Sequence, residues 1–245
     1  MIQYYIIQMR GVVLLADIMI FKRLEKKYLL SAEKKQKLLS IISDKLVPDK
    51  YGKSTLCSLY LDTPNYLLIR NSIDAISYKE KLRIRSYGVP NDDTTVFFEI
   101  KKKYNGVVYK RRVSLKLEDA FKYIESHEPP LDTQIMREID YLMSFYNHPQ
   151  PDVCILCERE AFFSAESTDV RLTFDENLRY RRGFPTKDNL ADGTPITKKD
   201  ECILEIKTPG AMPMWLARAL SECEIFPVSF SKYAHAYLDI TKHKN

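Results

Sequence analysis

The stretch KEKLRIRSYG, residues 79–88, carries a cation at every second position: Lys79, Lys81, Arg83 and Arg85. Side chains alternate between the faces of a β-strand, so in a strand these four share one face and Leu82 and Ile84 the other. The spacing recurs. VFFEIKKKY groups Glu99, Lys101 and Lys103 opposite Phe98 and Ile100, and VVYKRRVSL aligns Lys110, Arg112 and Ser114. LCEREAFF sets Arg159 against Leu156 and Phe162, and VRLTFDENL sets Arg171, Thr173 and Asp175 against Val170, Leu172 and Phe174. ILEIKTPG joins Glu205 to Lys207, and FKRLEKKYLL joins Arg23, Glu25 and Lys27. One such strand is an ordinary solvated face. Repeated along the chain, the pattern leaves many apolar faces that need cover. If helices cover them from outside, the charged faces point into a shared interior.

That interior dictates its own chemistry. Buried cations without counter-charge are strongly unfavourable, so a cavity rich in Lys and Arg with few carboxylates calls for a polyanion. Phosphate chains meet that demand, and Arg matches their oxygens bidentately. Among the carboxylates, Glu205 suits a divalent metal bridging to phosphate oxygens.

The elements that must hold these side chains are mostly strands. Alternating or β-branched runs span 20–29, 55–62, 76–87, 94–104, 107–115, 153–163, 169–175 and 201–208. Asn105-Gly106 between two of them is a hairpin turn. Helical spacing covers 31–45, opened by Ser31, then 117–126, 133–146 and 214–223. No repeat or linker divides the chain. The pattern implies one domain over 21–245 after an extension of residues 1–20. Its fold class is α+β: an antiparallel β-barrel forming a charged tunnel, with helices packed outside. A barrel of about eight strands has room for one small ligand.

Composition narrows the classes further. The 245 residues are 45% apolar, enough for a core, and 38 Lys plus Arg against 33 Asp plus Glu give a net charge of only +5. The placement of charge therefore matters more than its sum. Five cysteines, an odd count, point to free thiols in a reducing, cytoplasmic compartment. Cys154-x-x-Cys157 lies in a strand-like run without a second Cys pair, which disfavours zinc. Residues 1–20 are apolar, but Gln3, Gln8, Arg10 and Asp17 interrupt them, leaving no continuous span of about 20 apolar residues. The 7 glycines form no G-x-G-x-x-G or G-x-x-x-x-G-K loop. His127, His148, His235 and His243 show no nucleophile–base arrangement. Basic strands with 16 tyrosines could stack RNA bases, but Glu25, Glu99 and Glu205 share their faces and argue against nucleic acid.

Taken jointly, LEKKYLL, SLYLDTPN, the R-x-R of KLRIRSYG, FFEIKKKYNG, YKRR, ER-x-AF, VRLTFD, LEIK and FSKY resemble one family. They are similar to the catalytic domain of vacuolar transporter chaperone (VTC-type) polyphosphate polymerases, in the CYTH-like triphosphate tunnel metalloenzyme group. The likeness runs from about Phe21 to Lys242. It implies that Lys27, Arg83, Arg85, Lys101, Lys110, Arg159, Arg171 and Lys232 line a tunnel and grip phosphates, with Ser231 adding a hydroxyl. Arg83, Arg85, Arg159, Arg171 and Lys101 would act in catalysis. Glu205 would hold Mn²⁺ or Mg²⁺, with Lys207 on its face. Lys110, Arg111 and Arg112 are alternatives for one phosphate-binding position, and Tyr60 and Asp62 would support the wall. The implied reaction moves the γ-phosphoryl group of ATP onto a phosphate, pyrophosphate or polyphosphate chain, releasing ADP. The likeness also implies a stand-alone domain, without a phosphate-sensing domain or membrane segments. Hydrolytic members of the group carry E-x-E-x-K on the first strand, where this chain has Arg23, Glu25 and Lys27. Arginine in place of the first glutamate favours polymerase over the alternative, a metal-dependent triphosphatase. A non-catalytic polyphosphate sensor is the rival from outside the enzymes, and the retained Glu205 and arginines speak against it.

Overall fold

The computed structural model describes residues 24–75, 77–105 and 107–242. Arg23, the extension at residues 1–20, Gly106 of the hairpin turn and His243 lie outside the described residues. The strands are β1 (Leu24–Ser31), β2 (Leu46–Pro48), β3 (Ser54–Asp62), β4 (Tyr78–Tyr87), β5 (Thr95–Tyr104), β6 (Val107–Lys116), β7 (Gln150–Ser164), β8 (Arg171–Arg182), β9 (Thr194–Pro195) and β10 (Glu201–Thr208). The helices are α1 (Ala32–Ile42), α2 (Leu67–Asp74), α3 (Leu117–Ser126), α4 (Gln134–Phe145), α5 (Met214–Glu222) and α6 (Lys232–Lys242).

All strands belong to one ten-stranded sheet whose main path runs β1-β10-β8-β7-β3-β4-β5-β6, with β2 on β7 and β9 on β8. Every pairing is antiparallel. Among the described residues hydrogen bonds do not close the ring, so β1 and β6 remain its two ends and the barrel is approximate. The sheet nonetheless curls until its ends face each other: Lys101 Nζ on β5 lies 3.7 Å from Glu25 Oε2 on β1. The segment after α5 covers part of the free β1 edge, where the Val228 N–H donates to the Lys27 carbonyl at 2.7 Å.

The period-2 alternation sorts the side chains. Leu82, Ile84, Val96, Phe98, Ile100 and Leu115 point to the convex side and are buried beneath α3 and α4. Tyr28, Leu30, Leu172, Phe174, Leu204 and Ile206 do the same beneath α1 and α5. Local chemistry starts these helices. Ser31 Oγ accepts from the Lys34 N–H at 3.2 Å to cap α1, and Thr133 Oγ1 accepts from the Met136 N–H at 3.2 Å to cap α4.

Four elements go beyond the sequence expectations: β2, β9, α2 and α6. Helix α6 also differs in position from the helices that cover the convex side. It lies against the concave face, where Tyr233 stacks on Tyr60 with ring centroids 4.4 Å apart and packs with Ala236 against Val153 and Ile155. Among the described residues, no helix is long and apolar enough to cross a membrane.

Candidate phosphate-binding tunnel

Burying Leu82 and Ile84 on the convex side turns Lys79, Lys81, Arg83 and Arg85 of β4 inward. Arg83 is met by Glu99 of the neighbouring strand: Nε donates to Oε2 at 2.8 Å and Nη2 lies 2.7 Å from the same oxygen. The second oxygen of Glu99 faces Lys110 Nζ of β6 at 2.5 Å. Burial alone would raise the Glu99 pKa, but Arg83, Arg85 and Lys110 outweigh it and bring it down to about 2. Arg83 Nη1 also donates to the Tyr60 hydroxyl at 3.3 Å. Burial opposes ionisation of that phenol, yet the charges of Arg83, Lys81 and Arg85 prevail and lower it to about 7. Arg85 is held differently, by a 3.1 Å bond from Nε to Ser58 Oγ.

A second cluster forms around Asp175 of β8, whose side chain is fully buried. Arg159 of β7 grips it bidentately, Nε to Oδ1 at 2.5 Å and Nη2 to Oδ2 at 2.6 Å. Lys232, the first residue of α6, reaches the same carboxylate. The desolvation of Asp175 is overcome by these two cations, and its pKa falls to about 2. Its charge in turn outweighs the burial of Lys232 and holds that ammonium above its ordinary value.

The third cluster spans β1, β10 and β5. Lys27 and Glu205 are cross-strand partners, as are Glu25 and Lys207, so acids and ammoniums alternate on the tunnel wall. Lys207 Nζ lies 2.7 Å from Glu205 Oε1, and Lys27 Nζ lies 3.5 Å from Glu25 Oε1. Despite its burial, Glu205 is kept well below the usual carboxylate range by Lys207, Lys27, Arg159 and Lys232. Lys81 points into the gap between clusters, where Nζ donates to Ser231 Oγ at 2.9 Å. Burial and the nearby charges of Lys101, Lys27 and Arg83 lower its pKa to about 8, against an opposing pull from Tyr60.

Most sequence-predicted residues thus converge: Lys27, Arg83, Arg85, Lys101, Lys110, Arg159, Glu205, Lys207, Ser231 and Lys232 share one concave face. Arg171 is on that face too but lies toward its edge, with Nη2 donating to Asp49 Oδ2 at 2.9 Å and the guanidinium 5.1 Å from the Phe163 ring. Arg112 is exposed on β6 and stacks 4.6 Å from the Phe97 ring. Arg111 points outward to Glu138 at 3.4 Å, which leaves Lys110 and Arg112 as the tunnel cations of that trio. Tyr60 supports the wall as expected. Asp62 does so indirectly: its oxygens accept the Leu68 and Ile69 N–H groups at 2.9 and 3.0 Å, starting α2, and the Tyr233 hydroxyl at 2.9 Å, anchoring α6. Asp175 and Lys81 stood on charged faces in the sequence but were given no site role, and Ser58 and Asp49 were not singled out at all. Alternation with Arg171 and Arg83 marks Asp175 and Lys81, whereas Asp49 sits in a loop with no local signal. All five cysteines are buried and free. His127 and His148 stack on each other at 3.5 Å between ring centroids, outside the tunnel.

Among the described residues no group of three or more His, Cys, Asp or Glu could hold a metal by itself. Mg²⁺ and similar hard cations are commonly held by one or two carboxylates, with substrate phosphates filling other positions. Glu205, with Glu25 on the adjacent strand, offers that donor set.

The fold recurs in solved structures. A Bacillus halodurans protein called a "putative adenylate cyclase" superimposes with a TM-score of 0.53 at 15% identity, covering 86% of this chain and 95% of its own. A Vibrio parahaemolyticus protein of the same description gives 0.51 at 12% identity, covering 88% and 97%. At such identities the likeness is one of fold. No curated protein matches the sequence. The VTC domain model matches residues 22–240, nearly the whole chain, and the chain belongs to the VTC domain family.

Proposed function

We propose that the tunnel is the active site of a polyphosphate polymerase that transfers the γ-phosphoryl group of ATP onto the end of a phosphate chain. Membership of the VTC domain family supports an enzyme acting on nucleotide or phosphate substrates. The observation that carries the finer reading is the charge left over on β4. Arg83, Lys110, Arg159, Lys207 and Lys232 each have a carboxylate partner. Lys81 and Arg85 bond only to hydroxyls among the described residues, at Ser231 and Ser58. A row of cations held in place but not neutralised is a receptor for an extended polyanion.

The nucleophile is an ionised terminal oxygen of the acceptor chain. It attacks the γ-phosphorus, the bond from that phosphorus to the β,γ-bridging oxygen breaks, and ADP leaves with the electron pair. No general base is required, because the attacking phosphate oxygen is already ionised. Positioning and charge stabilisation carry such a reaction. Asp175 fixes the Arg159 plane and Glu99 fixes that of Arg83, so both guanidiniums are oriented before substrate arrives. Glu205, aided by Glu25, would hold Mn²⁺ or Mg²⁺, which when bound supplies charge neutralisation at the phosphate oxygens.

The test is to incubate the protein with ATP and Mn²⁺, with and without pyrophosphate, and resolve the products by size. A ladder of chains with matching ADP is the expected result. Orthophosphate alone, especially from added triphosphate, would assign the site to triphosphate hydrolysis.

A further inference from the structure

The start of β4, the end of β5 and the start of β6 form one end of the molecule, and it carries rings that the core does not use. Tyr78, Tyr104 and Tyr109 are 40%, 53% and 42% exposed, and Tyr141 and Phe145 of α4 are each 65% exposed. Alternation from Leu82 and Ile100 puts Tyr78 and Tyr104 on the convex side, and Tyr109 stands opposite Lys102 on that side. Glu80 ties α4 to these strands. It accepts from the Tyr78 hydroxyl at 2.7 Å and from the Tyr146 hydroxyl just after the helix, with Lys102 Nζ 3.7 Å away. Tyr141 and Phe145 stack one turn apart, ring centroids 6.1 Å from each other. An exposed apolar patch of this kind marks a contact surface.

The charges around the rings indicate what they contact. KKKYNGVVYKRR, residues 101–112, holds six cations and no acid. On the ring side Lys102 is answered by Glu80 and Arg111 by Glu138. On the other side of the strands Lys79 and Lys103 are cross-strand partners, and among the described residues neither has an acidic partner. Like charges placed directly opposite are destabilising, so this pair calls for an anion.

We infer that this end of the molecule docks on an anionic lipid surface, with Tyr104, Tyr141 and Phe145 entering the headgroup layer and Lys79 and Lys103 meeting lipid phosphates. Tyrosine suits that depth, because its ring is apolar and its hydroxyl stays wet. Lysine stems reach along apolar surface to place their ammoniums at the headgroups. A free phosphate chain would use the lysines alone and leave the rings bare. A nucleic-acid strand laid on the rings needs free cations on the ring side, where Lys102 and Arg111 are already paired. Two copies meeting here would bring like charges together. The inference is independent of the reaction proposed above.

The experiment measures flotation of the full chain with vesicles of phosphatidylcholine alone and of equal parts phosphatidylcholine and phosphatidylserine. Wild type is expected to bind the anionic vesicles only, and less at high salt. A variant combining Tyr104→Ser, Tyr141→Ser and Phe145→Ser keeps the net charge, so it separates docking from general attraction to a basic protein. It should lose at least about tenfold in vesicle affinity, with melting temperature and tripolyphosphate affinity unchanged. Lys103→Gln should lose about fivefold. Tyr104→Trp should shift its emission to the blue on anionic vesicles, with no shift in wild type, whose one tryptophan is Trp215 of α5. A triple variant with wild-type vesicle affinity, or a wild type that ignores anionic vesicles, overturns the inference. So does a triple variant that loses affinity for single-stranded RNA but none for vesicles. A wild type that binds vesicles but no tripolyphosphate overturns the tunnel reading and leaves the docking surface standing.

Discussion

Asp175→Asn is the sharpest probe of how the tunnel is held together. The carboxylate is fully buried and its partners among the described residues are two cations, Arg159 at 2.5 and 2.6 Å and Lys232. Asn preserves the shape but removes the charge, leaving both cations in a low-dielectric site without a counter-ion. Breaking a buried pair in this way costs about 3–5 kcal/mol. That is a large part of the roughly 5–15 kcal/mol that holds a domain folded, and it should lower Tm by roughly 6–20 °C. Urea unfolding at pH 7 measures the loss directly. The pH profile supplies a second check. The Asp175 pKa is about 2 when folded, below its ordinary 3.8, so its contribution is complete above the unfolded value and disappears as pH falls through the folded one. The stability gap between wild type and Asp175→Asn should therefore narrow as pH drops from 4 towards 2. A gap below about 1 kcal/mol at pH 7 would refute the reasoning, because breaking a buried pair costs well above that. A gap of constant size down to pH 2 would refute it as well.

Two further outcomes follow from the same geometry. Arg85→Ala should abolish chain synthesis with a stability loss of about 1 kcal/mol, the worth of its bond to Ser58. Arg83→Ala should abolish synthesis and also lower stability by more than that, because buried Glu99 loses one of its two cation partners. Equal melting temperatures for the two variants, or turnover in either, would contradict this. Affinity for tripolyphosphate should fall as pH rises through about 8, where Lys81 sheds its proton, and Lys110, also lowered to about 8, adds to the slope. Lys81→Arg stays charged and should retain more affinity at pH 9. Identical profiles for wild type and Lys81→Arg would remove Lys81 from the ligand's path.

The tunnel wall was legible because period-2 alternation runs unbroken through β4 and β5: once Leu82, Ile84, Phe98 and Ile100 need burial, the direction of Arg83, Arg85 and Lys101 is fixed. The choice between Lys110, Arg111 and Arg112 was also within reach. A two-residue Asn105-Gly106 loop pairs Tyr104 with Val107, which places Lys101 opposite Lys110 and Glu99 opposite Arg112. What the sequence hid depends on distant contacts. Helix α2 starts at Leu67 after Tyr66 in a left-handed conformation, and its cap is the Asp62 carboxylate several residues upstream. Helix α6 buries mainly Tyr233 and Ala236, too narrow a stripe to stand out, and the aromatic surface it needs is the Tyr60 face of the sheet. The pairs Arg171–Asp49 and Lys232–Asp175 join residues far apart in the chain, and no local pattern announces them.

The acids inside an anion-binding tunnel have a physical role of their own. Glu99 sits between Arg83 and Lys110, Asp175 between Arg159 and Lys232, and Glu25 between Lys27 and Lys101. Each of these acids thus offsets one of two cations. That reduces the desolvation cost of assembling so many charges and still leaves every cluster positive. The remaining charge is divided into steps, with Lys81 and Arg85 between them, instead of being concentrated in one pit. A single orthophosphate could satisfy one step only. A chain with a charge on every unit can satisfy each in turn, which is how the proposed polymerase would use the division of charge along the wall.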